Sequence, residues 1–306
     1  MSVSFHSNGI DMIYLAMLVS LFLSWSVQAQ SFKVHDNGEG KAVLILSGGP
    51  GFTAWNLLPL QQQIAQRNRA LLFDMRGMGD QAQLPLTDGR LLEQWIKDIE
   101  QVRVEKNIPQ WTLVGHSWGG IMALLYARAY PDKVDKLVLL NPVDPEKRGL
   151  EDILDRINER QAKHRPQAWD AEFDGANLPE KGFEATDESV RLYQIRHVLP
   201  TYFVDMNAGE EYAAQFTAAD FSPEINSRIW QEYDQIPFTK ADARKLKQPV
   251  VFADCDQDLL MPENQKGLKA FFPNMKSKIF KHCAHFPWVE QPQAFQPWLN
   301  KALAGK

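Results

Sequence analysis

Cysteine is scarce in this chain: Cys255 and Cys283 are the only two among 306 residues. Two are too few for a disulfide scaffold, and they lack the spacing of a metal site. An excess of positive charge is also absent. The formal net charge of −5 argues against a nucleic-acid binder, which would carry a basic patch. No segment is low in complexity and no repeat of fixed period is present. What remains is ordinary globular composition, 44% hydrophobic and 23% charged, which excludes disordered, collagenous and coiled-coil classes. The length suits one large domain with an insertion, or two modest ones.

Lys and Arg are missing from the first 30 residues, so any positive n-region there rests on the α-amino group. Residues 12–27 (MIYLAMLVSLFLSWSV) form an apolar run that is short for a membrane span. The run fits a signal-peptide h-region, with Val27-Gln28-Ala29 as a small-residue cleavage site. Residues 1–29 are therefore expected to be removed, leaving a mature chain from near Gln30 with no stable membrane span. The expected location is periplasmic or secreted; a retained leader would instead anchor the protein in a membrane.

Residues 42–46 (AVLIL) and 70–73 (ALLF) are continuous apolar runs, as in strands covered on both faces. Residues 91–106 repeat apolar side chains at helical spacing (Leu92, Trp95, Ile96, Ile99, Val102) and stop before Pro109. Strands are expected at 111–114, 136–140, 250–253 and 277–281, and helices at 119–129 and 293–304. Strand and helix alternate, which predicts an α/β fold with a mostly parallel central sheet flanked by helices. Between 144 and 240 strand-like runs disappear, and polar helical stretches rich in aromatic residues replace them. These residues read as an inserted helical cap, with 30–143 and 241–306 forming the core. The cap carries 20 acidic and 11 basic side chains, a net of −9, against +5 for the rest of the mature chain. Two readings stand: solvated helix faces on a lid, or a field that concentrates cationic substrates.

Gly115-His116-Ser117-Trp118-Gly119 is a G-x-S-x-G segment with a strand before it and a helix after it. Such a turn holds its serine at a strained backbone angle, and small neighbours prevent clashes. It presents the Ser117 hydroxyl above the sheet and sets the Trp118 N–H at a helix N-terminus, where positive potential suits an oxyanion. Serine needs a base held by a third group. Asp258 is the expected acid, a few residues past the strand end in a loop that turns at Pro262; Asp254 and Asp256 read as loop-capping or solvated acids. His285 is the expected base in preference to His282, which falls within or just past the last strand. His116 reads as a packing residue, and His164 and His197 as surface or core fillers of the cap. A second oxyanion donor is expected from Ser47-Gly48-Gly49-Pro50-Gly51, with Gly49 N–H favoured and Gly48 an alternative.

Together these residues resemble the α/β-hydrolase superfamily and, within it, the prolyl aminopeptidase (proline iminopeptidase) group. The similarity spans about residues 40–300. It rests on SGGPG at 47–51, DMRGMGDQ at 74–81, GHSWGG at 115–120, DLLMP at 258–262 and HFPWVEQP at 285–292. The resemblance implies an α/β-hydrolase fold, Ser117 as nucleophile, Asp258 as orienting acid, His285 as base, and no metal or cofactor. The implied substrate is a small molecule or short peptide with a free N-terminus. Three positions depart from the group: Ser47 replaces a histidine before GGPG, His116 replaces a glycine, and Leu199 stands where a cap glutamate binds the substrate amine. Asp205, Glu210 and Glu211 lie near Leu199 in sequence and are the candidate substitutes. Leu199 and an aromatic cap would equally suit a carboxylesterase or lipase-like enzyme acting on small neutral esters. If the acid and base loops meet, Cys255 and Cys283 come close, either as a disulfide or as two separate buried thiols.

Overall fold

The computed structural model describes residues 31–164, 188–261 and 263–304. The leader, the middle of the cap (165–187) and Pro262 lie outside the described residues. Seven strands form one sheet: β1 (His35–Asn37), β2 (Ala42–Leu46), β3 (Arg69–Leu72), β4 (Trp111–His116), β5 (Val134–Leu140), β6 (Val250–Cys255) and β7 (Lys276–Phe280). Their order is β1-β3-β2-β4-β5-β6-β7, with every pair parallel except β1 with β3.

Alternation along apolar strands explains both faces of the sheet. Leu44 and Leu46 enter one core cluster while Val43 and Ile45 enter the other, and Leu137 and Leu139 oppose Val138 and Leu140 in the same way. Side chains with period two point to opposite faces, so a strand covered on both sides must be apolar throughout. The first face packs α2 (Leu91–Glu105) and α3 (Gly119–Ala129), which contribute Leu92, Trp95, Ile99, Ile121 and Leu125. The second face packs α1 (Leu58–Ala65), α10 (Pro287–Glu290) and α11 (Pro292–Ala304), through Leu60, Ile64, Trp288, Phe295 and Leu299. The observed elements extend the expected ones by a residue or two at several ends. The final strand, expected at 277–281, is shifted to 276–280, which puts His282 beyond it.

Between β5 and β6 the chain forms α4 (Ile153–His164), α5 (Glu188–Val198), α6 (Met206–Ala213), α7 (Pro223–Gln235) and α8 (Lys240–Lys245), followed after β6 by α9 (Glu263–Phe271). The helix α7 is part of the main core: Ile225, Ile229 and Tyr233 join the cluster that holds Leu92 and Trp95. The buried Glu232 on α7 accepts the Leu92 N–H at 2.7 Å, satisfying one of the free donors at the start of α2. Among the described residues no helix is long and apolar enough to cross a membrane.

Candidate active site

Register places the chemistry on one edge of the sheet. Leu46 pairs with Gly115, His116 with Leu140, Leu140 with Ala253 and Cys255 with Phe280. The loops that leave the carboxyl ends of β2, β4, β5, β6 and β7 therefore converge, as in open α/β sheets generally. Ser117 follows β4 directly with φ +55°, left-handed backbone that a serine adopts only when its surroundings impose it. Those surroundings are the Ser117 N–H donating to Leu140 O at 3.0 Å and the Ser117 carbonyl accepting from Gly120 N–H at 3.0 Å. A Cβ on Gly119 would stand 2.2 Å from Leu46 O, so the turn can approach β2 only with glycine there. Trp118 caps α3, so its N–H lies among those that no helix carbonyl accepts.

The glycine-rich loop after β2 meets this turn: a Cβ on Gly48 would stand 2.5 Å from Ser117 Cβ. Gly49, at φ +56°, closes a turn in which its carbonyl accepts the Phe52 N–H at 2.9 Å. Partners far along the chain hold the loop. Asp220 in the cap accepts from Thr53 Oγ1 and Trp55 Nε1, both at 2.8 Å, and Phe52 pairs with Phe221 as an antiparallel bridge. Ser222 N–H donates to Gly51 O at 2.8 Å, and Asn226 Nδ2 donates to Pro50 O at 2.7 Å. From the core side the DMRG segment contributes Asp74, which accepts the Ala54 N–H at 2.6 Å and the Asp80 N–H at 2.8 Å. Burial raises the Asp74 carboxyl. Arg76 makes a paired contact with the fully buried Asp98, both bonds 2.8 Å long.

Asp258 and His285 meet. The His285 Nδ1–H donates to Asp258 Oδ2 at 2.6 Å, with both residues about 4% exposed. Asp258 Oδ1 accepts the Leu260 N–H at 2.9 Å, and the His285 N–H donates to Tyr202 O at 2.9 Å. A ring whose Nδ1 proton is so engaged leaves Nε2 as its basic nitrogen. Tyr202 and His116 flank the imidazole, their rings 4.5 and 4.6 Å from it. His116 Nε2 lies 3.0 Å from His285 O, a carbonyl that only accepts, so the His116 proton sits on Nε2. Burial and the neighbouring His285 push the His116 imidazole well below its ordinary value, so it stays neutral. The Ser117 hydroxyl makes no hydrogen bond among the described residues. Such bonds often tighten only with substrate bound.

Cys255 and Cys283 are joined as a disulfide with Cα atoms 5.2 Å apart, tying the acid loop to the base loop. Glu290, its carboxyl raised by burial, braces the same region by accepting from Val204 N–H and Ala284 N–H, each at 2.8 Å. Asp254 corrects its sequence-based reading as a capping or solvated acid. It lies inside β6, fully buried, and meets Asn141 Nδ2 at 2.9 Å. Asn141, Asp220, Tyr202 and Glu290 escaped sequence reasoning. A buried polar residue carries no periodic signal, and the partners of Asp220 lie 165 and 167 residues away.

Asp205 caps α6 by accepting the Asn207 N–H at 3.0 Å, and Glu210 pairs with His164 at 3.2 Å. Asp205 and Glu211 line a cavity of about 420 Å³ with Phe203, Tyr212, His282 and Glu290, behind the base loop; neither Ser117 nor His285 lines it. Leu199 is buried with Ile195 and Phe216 in a small apolar cluster against Phe52 and Trp55. Among the described residues no group of three or more His, Cys, Asp or Glu is arranged to hold a metal ion.

The sheet order and the loops at its carboxyl edge define a class, and sequence comparison agrees: the alpha/beta hydrolase fold family matches residues 41–292. The chain belongs to that family and is a hydrolase. Its relatives include the proline iminopeptidase of Lactobacillus delbrueckii subsp. lactis, 24% identical over 85% of this chain and 89% of that protein. That of Clostridium botulinum is 25% identical over 87% and 90% respectively. Among solved structures, a meta-cleavage product hydrolase from Pseudomonas fluorescens IP01 superposes with a TM-score of 0.65 at 19% identity, covering 88% of this chain and 93% of the other. Bromoperoxidase from Bacillus anthracis superposes with a TM-score of 0.63 at 17% identity over 89% and 95%. At such identities the structural likeness speaks for the fold alone.

Proposed function

We propose that the protein is a serine hydrolase acting through an acyl-enzyme, and that its substrates are short peptides with a free N-terminus. One observation carries the mechanism: Ser117 sits in left-handed backbone on the sheet edge where the His285–Asp258 pair, 2.6 Å apart, is buried. Ser117 Oγ attacks the substrate carbonyl while His285 Nε2 takes its proton, and Asp258 keeps the ring in the productive tautomer. The N–H groups of Trp118 and Gly49, with Gly48 beside them, donate to the oxyanion. His285 then protonates the leaving amine, and water, activated by the same imidazole, releases the acyl group. No step calls on a metal or cofactor.

The peptide reading draws on the SGGPG and GHSWGG segments and on the proline iminopeptidases among the relatives. Esters are the second reading, favoured by Leu199 in its apolar cluster. A prolyl or alanyl fluorogenic amide and a short-chain p-nitrophenyl ester separate the two, with Ser117→Ala as control. Amide cleavage abolished by N-acetylation of the substrate supports the aminopeptidase; ester cleavage alone overturns it. The leader and the disulfide together support an exported protein, since disulfides persist in oxidising compartments. Cell fractionation that finds the chain reduced in the cytoplasm would sink that assignment.

A further inference from the structure

Asn141 follows β5 with φ +44°, and its N–H donates to Ala253 O at 2.8 Å. This backbone aims the side-chain amide at three acceptors: Asp258 Oδ2 at 2.8 Å, Asp254 Oδ1 at 2.9 Å and Ala284 O at 2.9 Å. The amide nitrogen has two hydrogens for those three oxygens. All of this is buried, with Asn141 and Asp254 at 0% exposure. Asp254 Oδ1 also accepts the Cys255 N–H at 2.8 Å, whereas Asp254 Oδ2 and Asn141 Oδ1 are buried without a partner. Two carboxyl groups thus share one neutral amide in a site closed to water. Like charges so placed cannot both ionise cheaply.

We propose that Asn141 and Asp254 are positioning residues of the hydrolytic reaction: the shared amide aligns Asp258 with the His285 ring, and Asp254 contributes an uncharged carboxyl that leaves Asp258 the one carboxylate of the pair that faces the imidazole. The inference rests on the acyl-transfer reading above. Burial and the charge of Asp258 raise the Asp254 carboxyl well above the usual carboxylate range, in the same sense. A carboxyl oxygen buried without a donor is costly as part of an ion and far less so as part of a neutral acid. The other groups facing the cluster are the Asn264 amide on α9, which faces Asp254; His285 itself; Tyr202, which feels the Asp258 charge; Glu290, which interacts with His285; and Arg160, which reaches from α4 toward Asp258 and donates to Gln257 O. The Arg160 guanidinium interacts with the Asp258 charge. The result is a carboxylate and a carboxylic acid held apart by one asparagine.

The test compares the full chain with Asp254→Ala, Asp254→Asn and Asn141→Ala. It measures kcat, KM, the low-pH limb of the kcat profile, thermal stability, and the low-field proton signal of the His285–Asp258 hydrogen bond. Asp254→Ala, which removes the carboxyl beside the shared amide, is expected to lower kcat about tenfold at unchanged KM and to move the low-field signal. Asp254→Asn, neutral and of the same shape, is expected to restore both. An Asp254→Ala variant with unchanged kcat and signal would overturn the role of Asp254. Asn141→Ala is expected to lower kcat by about 10- to 100-fold at unchanged KM, to shift the low-pH limb and to move the low-field signal, because the acid is no longer aligned. Should that variant not fold, Asn141→Ser carries the same expectation. A loss in Asp254→Asn as large as in Asn141→Ala, with the limb displaced, would show that Asp254 acts as an ion and overturn the proposal. So would Asn141→Ala with reduced thermal stability but an unchanged kcat and proton signal. Failure of the unsubstituted protein to react with a fluorophosphonate would instead remove the acyl-transfer reading. The proton signal needs no turnover and would still decide the alignment.

Discussion

The two walls of the site are held by different parts of the molecule. The wall of Asp258 and His285 is anchored chiefly by the core: the Cys255–Cys283 disulfide and the Asn141 amide join segments at the ends of β5, β6 and β7, to which Tyr202 and Val204 add one backbone contact each. The glycine-rich wall leans on the cap, through Asp220, Ser222 and Asn226, as well as on Asp74 below it. The first wall is set by a covalent tie that persists in the unfolded chain and by buried contacts that unfolding must break. The second depends on whether 220–226 stays docked. The 220–226 segment is thus a support for the glycine-rich loop.

Substitutions on each wall break or sharpen this contrast. Asp258→Asn strikes the first wall hardest: kcat should fall about 10⁴-fold with the fold intact, because the amide stabilises the wrong imidazole tautomer. A steady-state assay beside a circular-dichroism melt checks both halves. Replacing Cys255 and Cys283 together by serine frees a loop with a sequence separation of 28 and should cost about 3 kcal/mol in urea unfolding. Asp220→Ala should act on the other wall, lowering kcat roughly 10- to 100-fold as the glycine-rich loop shifts. If Asp220→Ala altered stability alone, the contrast between the walls would fail. The smallest effect concerns the start of the cap, where Asp144 is fully buried and burial raises its carboxyl to about 6. Between about pH 4 and pH 6 the folded chain holds that proton and the unfolded chain does not, so stability falls as pH rises through this window. Denaturant titrations at the two ends should show a smaller decline in Asp144→Asn.

Much of the fold was legible because its strands are buried on both faces, so runs such as 42–46 and 136–140 announce themselves without alternation. The first strand was not: His35-Asp36-Asn37 is short, polar and at the sheet edge, where pairing with β3 rather than burial makes it a strand. The helix α1 was also missed, since Leu58-Pro59 and three glutamines blur its apolar face. Within the site, Asp258 and His285 could be chosen by their distance past a strand end. Asp254 could not be judged that way: its burial follows from its place inside β6, which the strand expected at 250–253 stopped short of. The clamp on the glycine-rich loop was invisible for a different reason. Thr53, Asp220 and Asn226 are unremarkable alone and become a unit only when the cap folds back.

The docking of 220–226 also constrains how this scaffold could be re-engineered. Of the described residues before Thr217, Tyr202 and Val204 also touch the His285 region, so a lid exchanged there would have to preserve those two backbone contacts. The short segment that begins with the Thr217–Asp220 capping box and runs to Asn226 belongs functionally to the machinery beneath it. A chimera joined at Lys240 would discard that segment and import a lid with no grip on the loop. One joined just before Thr217 would keep the grip, so the seam for modular design lies more than twenty residues earlier than the change in sequence texture suggests.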